Sequence, residues 1–402
     1  MTRKTHMPLS ILLIASLLVL AGACGSEEGK KNGGKSGESA SKKNGQAGSA
    51  QGSDGLTYIG RKPMLVYGSS YVGPLTEIFG DVYIGKKDFV ASNSVMRAAP
   101  GNKVELGDES NVQDNVTVRA YQDSVSVGDR TSLTHHALVE DSNVGDSVFV
   151  GYDADIEDSV VGDKSFIYHG ARIEGVEIPE KSFVGAGEVV DDQKTADALP
   201  KTSEVDLGKY YNKKEQLDTN REFAKAYIDL YEEEGYDAVV EVGPNPKTSW
   251  NSRRAEPEIG KNVELQAFSR VTGDVKIGEN SSVGRRTALR ADEGDPISVG
   301  PGAFIDDRVT LHATRGSAVK IGKFLVASDD AVLHGPLEMG ERNFVGENAV
   351  VFRAQVGDDV QIGEGAIIAG PADKGPALKI PDDTLVPAGA VVTSEKDVRA
   401  LN

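Results

Sequence analysis

An aliphatic residue followed by glycine or another small residue returns about every six positions, and mostly polar residues fill the intervals. Each aliphatic side chain can point into a narrow prism, and each small residue allows a turn at a corner. Three hexapeptides then close one coil of a parallel β-helix, and stacked coils bury the aliphatic columns that no single coil could bury. The pairs in register are Ile84-Gly85, Leu106-Gly107, Val127-Gly128, Val144-Gly145, Val150-Gly151, Val161-Gly162, Val184-Gly185, Ile277-Gly278, Val283-Gly284, Val299-Gly300, Ile321-Gly322, Val345-Gly346, Val356-Gly357 and Ile362-Gly363.

The repeat pattern occurs twice along the chain. We therefore predict an all-β protein with two tandem parallel β-helix domains, at 56–240 and 259–402, joined by a linker at 241–258. From about Thr219 to Glu234 the apolar residues recur at helical spacing, which predicts a helix that closes the first domain. We interpret the apolar stripe of this helix as a packing face.

The N-terminus has the pattern of a secretory signal. Basic residues precede the apolar run Leu9–Leu20 and small residues follow it, which predicts a signal peptide at 1–23. Cys24, the only cysteine of the chain, lies where a bacterial lipobox places the cysteine that receives lipid, although Ala21 replaces the usual leucine. The alternative is an ordinary cleaved signal followed by an unmodified cysteine.

Residues 24–55 are rich in glycine, serine, lysine, asparagine and glutamine, and after Cys24 they contain no hydrophobic residue larger than alanine. Such a composition cannot form a core and predicts a disordered tether. We expect a lipoprotein of the cell envelope, anchored to a membrane through Cys24. Gly25 and Ser26 stand where an aspartate commonly retains lipoproteins at the inner membrane, which favours the outer membrane, facing the periplasm or the cell surface.

The formal net charge is −18 at pH 7, and no basic stripe interrupts the acidic composition. An acidic surface repels nucleic acid, so we predict no nucleic-acid partner. Hexapeptide acyltransferases share the repeat, but that class needs a basic groove for coenzyme A phosphates and a catalytic histidine on a long loop. The acidic chain with its short turns disfavours this class.

Each half carries part of a possible three-histidine metal site. The N-terminal half has His135 and His136 after Thr134, and the C-terminal half has His312 and His334. Imidazole is the commonest neutral ligand of zinc, and three of them plus water form a hydrolytic or hydrating centre. Because side chains alternate along a strand, we interpret His136 as a surface or packing residue.

The histidine segments and the motifs around them resemble the gamma class of carbonic anhydrases. The resemblance covers nearly all of 57–402, in two copies. It implies left-handed β-helices that associate as trimers, zinc or ferrous iron between neighbouring helices, and carbon dioxide and bicarbonate as substrates. The motifs that carry it are Arg290–Gly294, Asn111–Asp114, Val309–Ala313, Leu133–His135, Val332–Pro336 and Asn245–Asn251.

In this family, the first and third ligands belong to one helix and the second to its neighbour. The resemblance assigns the first and third to His312 and His334 of the C-terminal half, and the second to His135 of the N-terminal half. The other half has a different residue at each position. Arg119 and Glu140 stand at the first and third positions of the N-terminal half, and Asp329 stands at the second position of the C-terminal half. One contact between the halves would then hold a complete site, and the reverse contact an ion-pair cluster.

The resemblance also assigns roles to polar residues. Glu293 would assist proton movement and Gln113 would orient the bound ligand. Arg290 would form structural salt bridges with Asp292 and Asp307. The long acidic loop that carries the main proton shuttle of the archaeal prototype is absent, so turnover could be slow without buffer.

Several alternatives remain open at this stage. A ring of C-terminal halves alone would offer Asp329 as the third ligand beside His312 and His334. The chain could also be a catalytically inactive assembly or binding module of the same family. The metal could be zinc or ferrous iron. We interpret His169, in a later coil, as a surface imidazole.

Overall fold

The computed structural model of the chain describes residues 50–51, 57–58, 66–207, 213–371 and 377–401. The predicted signal peptide, Cys24 and most of the predicted tether lie outside these residues. In the described part, no helix combines the length and the apolar character that crossing a bilayer requires.

The N-terminal half winds into a parallel β-helix with three sheets as the faces of a prism. Consecutive coils are in register: Leu138, Asp155 and Arg172 are neighbours in adjacent strands, seventeen residues apart in sequence. This spacing is close to the predicted three hexapeptides per coil. The strands are β1 Ala50–Gln51, β2 Thr57–Tyr58, β3 Val66–Tyr67, β4 Ser70–Val72, β5 Glu77–Phe79, β6 Asp81–Ile84, β7 Phe89–Val90, β8 Val95–Ala98, β9 Lys103–Leu106, β10 Asn111–Val112, β11 Thr117–Ala120, β12 Val125–Val127, β13 Ser132–Leu133, β14 Leu138–Glu140, β15 Asn143–Val144, β16 Phe149–Val150, β17 Asp155–Glu157, β18 Val160–Val161, β19 Phe166–Ile167, β20 Arg172–Glu174, β21 Glu177–Ile178, β22 Phe183–Val184 and β23 Val189–Val190.

The C-terminal half repeats this architecture. Two of its faces merge into one sheet, because the long strands β36 and β38 continue around a corner and pair with strands on both sides of it. The strands are β24 Val242–Gly243, β25 Glu258–Ile259, β26 Glu264–Leu265, β27 Arg270–Gly273, β28 Val275–Ile277, β29 Ser282–Val283, β30 Ala288–Ala291, β31 Ile297–Val299, β32 Phe304–Ile305, β33 Thr310–His312, β34 Val319–Ile321, β35 Val326–Ala327, β36 Val332–Met339, β37 Phe344–Val345, β38 Val350–Val356, β39 Gln361–Ile362, β40 Ile367–Ala369, β41 Leu378–Ile380, β42 Leu385–Val386 and β43 Val391–Val392.

The interior of each prism is a column of aliphatic side chains. Val118, Val139, Ile156 and Ile173 lie above one another in consecutive coils and are at most 1% exposed. At the corners the coils approach closely: a Cβ on Gly128 would lie 2.6 Å from the carbonyl carbon of the next coil. The alternation of aliphatic and small residues in the repeat follows from these two requirements.

Three α-helices complete the described chain: α1 Gln193–Asp197, α2 Lys213–Glu234 and α3 Glu395–Ala400. Helix α2 begins earlier than predicted and closes the first domain as predicted. Its Phe223 and Tyr227 rings pack against Tyr71 and Phe89 of the N-terminal β-helix, with ring centroids 5.0–5.6 Å apart.

The two β-helices pack side by side within one chain. An apolar cluster between them joins aromatic residues of the N-terminal half to aliphatic residues of the C-terminal half. Its core members are Phe149, Phe166, Phe183, Val332, Val350 and Ile367. The prediction of an all-β protein with two tandem left-handed parallel β-helices is confirmed. The domain limits stay predictions, although β24, inside the predicted linker, pairs with β27 of the C-terminal half.

Candidate metal centre

Two histidines of the C-terminal half occupy matching positions in consecutive coils. Strand β33 ends at His312, and His334 lies directly beside it in β36. Neighbouring strands lie about 4.8 Å apart and in-register side chains share a face, so the two imidazoles stand together. Arg290 precedes them in the same column and Phe352 follows them. Both histidines are buried, at 2% and 4% exposure.

The third histidine comes from the other half of the same chain. His135 follows β13, is completely buried, and places its Nε2 atom 3.0 Å from Nδ1 of His312. One ring nitrogen from each of His135, His312 and His334 lies within 4.8 Å of the other two. The structure therefore brings together, inside one chain, the three histidines that the sequence assigned to one site.

A hydrogen bond to the backbone orients one of the three imidazoles, and a carboxylate lies near a second. Nδ1 of His334 lies 2.9 Å from the carbonyl oxygen of Gly335, and because a carbonyl only accepts, this nitrogen carries the proton. Nδ1 of His135 faces a carboxylate oxygen of Asp114 at 3.5 Å. In His334, Nε2 is therefore left with its lone pair, as in ligand histidines.

The three histidines are neutral at pH 7. Burial lowers the pKa of His312 to about 4, with a further contribution from the Arg290 guanidinium. Burial, and then His312, hold the pKa values of His135 and His334 well below the usual value. Three neutral imidazoles at this spacing are a donor set that suits zinc or ferrous iron, so the residues present fit the metal that the sequence implies.

Arg290 links the two halves beside the histidines. Its guanidinium donates to Asp114 of the N-terminal half at 2.7 Å, and its Nε lies 3.1 Å from Asp292. The expected ion pair of Arg290 with Asp307 is wrong: Asp307 instead accepts a hydrogen bond from the Arg285 backbone at 2.7 Å. The N-terminal half covers the histidine face of the C-terminal half, so Asp114 of the N-terminal half pairs with Arg290.

Helix α2 contributes a residue that we interpreted only as packing. The Tyr227 hydroxyl donates to Asp292 at 2.5 Å, and the other oxygen of Asp292 lies 3.7 Å from Nε2 of His312. Burial by itself would raise the pKa of Asp292, but the Arg290 guanidinium, the nearby His312 and the hydrogen bond from Tyr227 hold it below its usual range. Asp292 therefore remains a carboxylate at the centre of the site.

Comparison with known proteins identifies the family. The chain is 30% identical over 184 residues to the carbonic anhydrase of Methanosarcina thermophila, and the match covers 41% of this chain and 72% of that protein. The chain belongs to the gamma-class carbonic anhydrase family. It is also 32% identical over 166 residues to the carboxysome assembly protein CcmM of Nostoc sp., covering 39% of this chain but only 29% of that protein. No family model matches the chain.

Solved structures with a similar fold are more distant. A hexapeptide transferase family protein from Anaplasma phagocytophilum is 20% identical, with 40% of this chain and 91% of that chain covered, at a TM-score of 0.28. An Arabidopsis UDP-N-acetylglucosamine acyltransferase is 13% identical, with 80% and 71% covered, at a TM-score of 0.19. Neither likeness bears on the function of this gamma-class chain.

The two polar residues that the gamma-class motifs single out are both buried. Oε1 of Glu293 lies 3.7 Å from Nε2 of His312, and its Oε2 accepts a hydrogen bond from the Arg315 backbone at 2.8 Å. Gln113 immediately precedes Asp114 and is 6% exposed; its side-chain oxygen has no hydrogen-bond partner within the described residues. Glu293 therefore stands beside the histidines, and Gln113 keeps an unused acceptor.

The other copy of the gamma-class ligand positions holds no histidine. Arg119 and Glu140 lie side by side in β11 and β14 and form an ion pair whose arginine is half exposed. Asp329 lies outside the histidine group, and its carboxylate accepts a hydrogen bond from the Asp307 backbone at 3.0 Å. Within the described chain, Asp329 forms no ion pair with Arg119 and is not part of the histidine group.

Of the two further histidines in the β-helices, His169 is more buried than expected and His136 packs as expected. His169 is 1% exposed, so its interpretation as a surface imidazole is wrong. It stacks on Tyr152 at 4.2 Å, and Tyr152 stacks on His334 at 4.9 Å. His136 is a packing residue between the halves, 2.9 Å from the Thr310 hydroxyl. The repeat pattern carried no signal for His169, because the second β-helix buries it.

Proposed function

We propose that this protein is a metal-dependent carbonic anhydrase, a carbonate dehydratase that interconverts carbon dioxide and bicarbonate. The observation that supports it is the convergence of His135, His312 and His334, neutral and buried, at the contact between the two halves. Membership of the gamma class supports the substrate, carbon dioxide or bicarbonate. Zinc or ferrous iron would be the cofactor, held by these three imidazoles.

When bound, the metal would supply Lewis-acid activation of water near neutral pH. The protein would supply the rest. The Gly335 carbonyl holds His334 in the orientation that leaves Nε2 available, and the Asp114 carboxylate lies 3.5 Å from Nδ1 of His135. The pairing of Arg290 with Asp114 ties the two halves together at the same place.

Glu293 is our candidate for proton movement. The Arg315 backbone holds one of its oxygens, which leaves the other directed toward the histidine group. Gln113 would orient the substrate through its side-chain amide. Only short turns separate β11 from β12 and β33 from β34, so the described chain offers no long acidic loop as a shuttle. We therefore expect turnover to depend on buffer.

The test compares metal content and carbon dioxide hydration in the wild-type protein, His135→Ala and Asp329→Ala. We expect His135→Ala to lose metal and activity together, since it removes a ligand from the other half. Asp329→Ala is the matched control and should keep both. If Asp329→Ala loses both and His135→Ala keeps them, the site belongs to C-terminal halves alone and His135 is not a ligand. A metal-loaded wild-type protein that does not hydrate carbon dioxide contradicts the proposed activity.

The second candidate is a catalytically inactive assembly or binding module. It is favoured by the name of the Nostoc relative, an assembly protein, and by Arg119 and Glu140 at former ligand positions. Folded wild-type protein without stoichiometric zinc or iron, purified without chelator, would favour this candidate over the enzyme.

We further propose that Cys24 carries lipid and anchors the protein to a membrane of the cell envelope, with residues 25–55 as a tether. The pattern of the first 24 residues supports this. Mass spectrometry of the mature N-terminus tests it: a diacylglyceryl-modified Cys24 is expected, and an unmodified cysteine within a longer chain would contradict it.

A further inference from the structure

One face of the C-terminal β-helix is apolar and open to solvent. Phe304, Val326, Phe344 and Leu385 lie on this face in neighbouring strands of one sheet. Their exposures are 48%, 37%, 40% and 62%, with only Gln361 interrupting the row. We call these four residues the C-column. Large apolar side chains gathered in one row indicate a contact surface more often than chance exposure does.

The duplicated half shows what such a row packs against. Phe149, Phe166 and Phe183 form the equivalent row of the N-terminal β-helix, which we call the N-column. The equivalence is set by register, because the N-column continues from Ser132, three residues before His135, and the C-column contains Val326, three residues before Asp329.

The N-column is covered by the other β-helix of the chain. Its side chains are 3–9% exposed and belong to one apolar cluster with Val332, Val350 and Ile367 of the C-terminal half. A row at this position is therefore a surface that a second copy of the same fold covers. The C-column has the same position and lacks that cover within the described chain.

The face that would cover the C-column in a closed three-helix ring is unsuitable. The positions equivalent to Val332, Val350 and Ile367 in the N-terminal half are Leu138, Asp155 and Arg172. Asp155 and Arg172 form a surface ion pair, and burying charges against an apolar row is costly.

Ring closure also conflicts with the contact inside each chain. A third β-helix would need both of its contact faces free. In every copy of this chain the N-terminal half already uses its N-column, and the C-terminal half already uses its histidine face. Whole chains cannot close a ring of three while these contacts persist.

We propose that the C-column packs against the C-column of a second copy of this chain, in a twofold-symmetric dimer. A twofold contact uses the same patch on both partners, so apolar side chains meet apolar side chains and the charged N-terminal face stays in solvent. The histidine group lies inside each chain, so the dimer would contain two complete groups. This inference is independent of whether the protein hydrates carbon dioxide.

Sedimentation velocity tests the dimer on the full chain carrying Cys24→Ala, which removes both the predicted lipid and the only thiol. We expect a mass of two chains, falling to one with Phe344→Asp. Tyr121→Asp is the matched control, because Tyr121 is 71% exposed on the N-terminal half and should leave the dimer intact. Circular dichroism melting checks that both variants fold.

Cysteine cross-linking gives a second readout that does not depend on a disruptive charge. In the same background, Phe344→Cys should form a covalent dimer on mild oxidation and Tyr121→Cys should not. A monomeric parent chain overturns the proposal. So does a dimer that stays intact in Phe344→Asp and is not cross-linked in Phe344→Cys. It is also overturned if the parent is monomeric and binds phosphatidylethanolamine–phosphatidylglycerol vesicles through Phe344, which would make the C-column a lipid-binding surface.

Discussion

The two halves of this chain carry different residues at matching positions of the same column. In the C-terminal half, β30, β33 and β36 place Arg290, His312 and His334 in consecutive coils. In the N-terminal half, β8, β11 and β14 place Arg97, Arg119 and Glu140 at these positions. One column builds a buried group of neutral imidazoles, whereas the other is an ion pair at the surface.

Contact between the halves explains the difference. His312 and His334 lie on the face that the N-terminal half covers, and His135 lies on the face that covers them. The chain leaves open the faces that carry Arg119 and Glu140. It also leaves open the face that carries Asp329, the equivalent of His135. Histidines are thus present where a second β-helix completes the site, and charged residues are present where none does.

The largest expected effect comes from removing a histidine from the C-terminal column. His312→Ala should abolish stoichiometric metal binding and reduce carbon dioxide hydration by more than the about 10–100-fold loss typical of residues that only orient a ligand. Metal analysis and stopped-flow hydration assays would measure this. The control Arg119→Ala changes the equivalent position and should leave both unchanged; equal losses in the two variants would contradict the comparison.

The division of the histidines could be predicted from the sequence because the ligand positions are short motifs. The prediction that Arg290 pairs with Asp307 was wrong, because Asp114 occupies the equivalent position in the other half and pairs with Arg290 instead. The repeat distinguishes inward from outward side chains, but not which outward face another β-helix covers. For the same reason His169 was expected at the surface, and Tyr227 was seen only as a packing residue.

The second prediction tests which aspartate supports the buried arginine. Asp114→Asn removes one charged partner of Arg290 and should lower the free energy of unfolding by about 2 kcal/mol, as expected for a hydrogen bond to a charged group. Urea unfolding would measure the change. Asp307→Asn is the matched control and should stay within about 0.5 kcal/mol of wild type. The reverse ranking would show that Arg290 pairs with Asp307 in solution.

The third prediction concerns the pH dependence of the metal-free protein. The folded pKa of His312 is about 4, below its unfolded value, so between these values the unfolded chain binds protons that the folded chain does not. The contribution of His312 to stability should therefore be complete above about pH 6.5 and fall as the pH drops, by up to about 1.4 kcal/mol per pH unit. His135 and His334 shift in the same direction. The buried carboxyls of Asp88 and Asp153, whose pKa values are raised, contribute in the opposite sense.

Urea unfolding at about pH 7, 6 and 5 would measure this slope. His312→Asn removes the contribution of one histidine, so its stability should fall less than that of the wild-type protein between pH 7 and 5. If the wild-type protein and His312→Asn lose the same stability between pH 7 and 5, His312 is accessible to protons in the folded chain.

The smallest effect is expected at the surface pair. Arg119 and Glu140 have side-chain exposures of 47% and 19%, and exposed ion pairs contribute about 0–1 kcal/mol. Arg119→Ala and Glu140→Ala should each change the free energy of unfolding by less than about 1 kcal/mol, and less in high salt. A larger loss that appears only at high protein concentration would mean that another chain covers this face. The face that carries Arg119 and Glu140 would then be a contact between copies of the chain. Both columns would be covered in that case, the C-terminal one within the chain and the N-terminal one between chains.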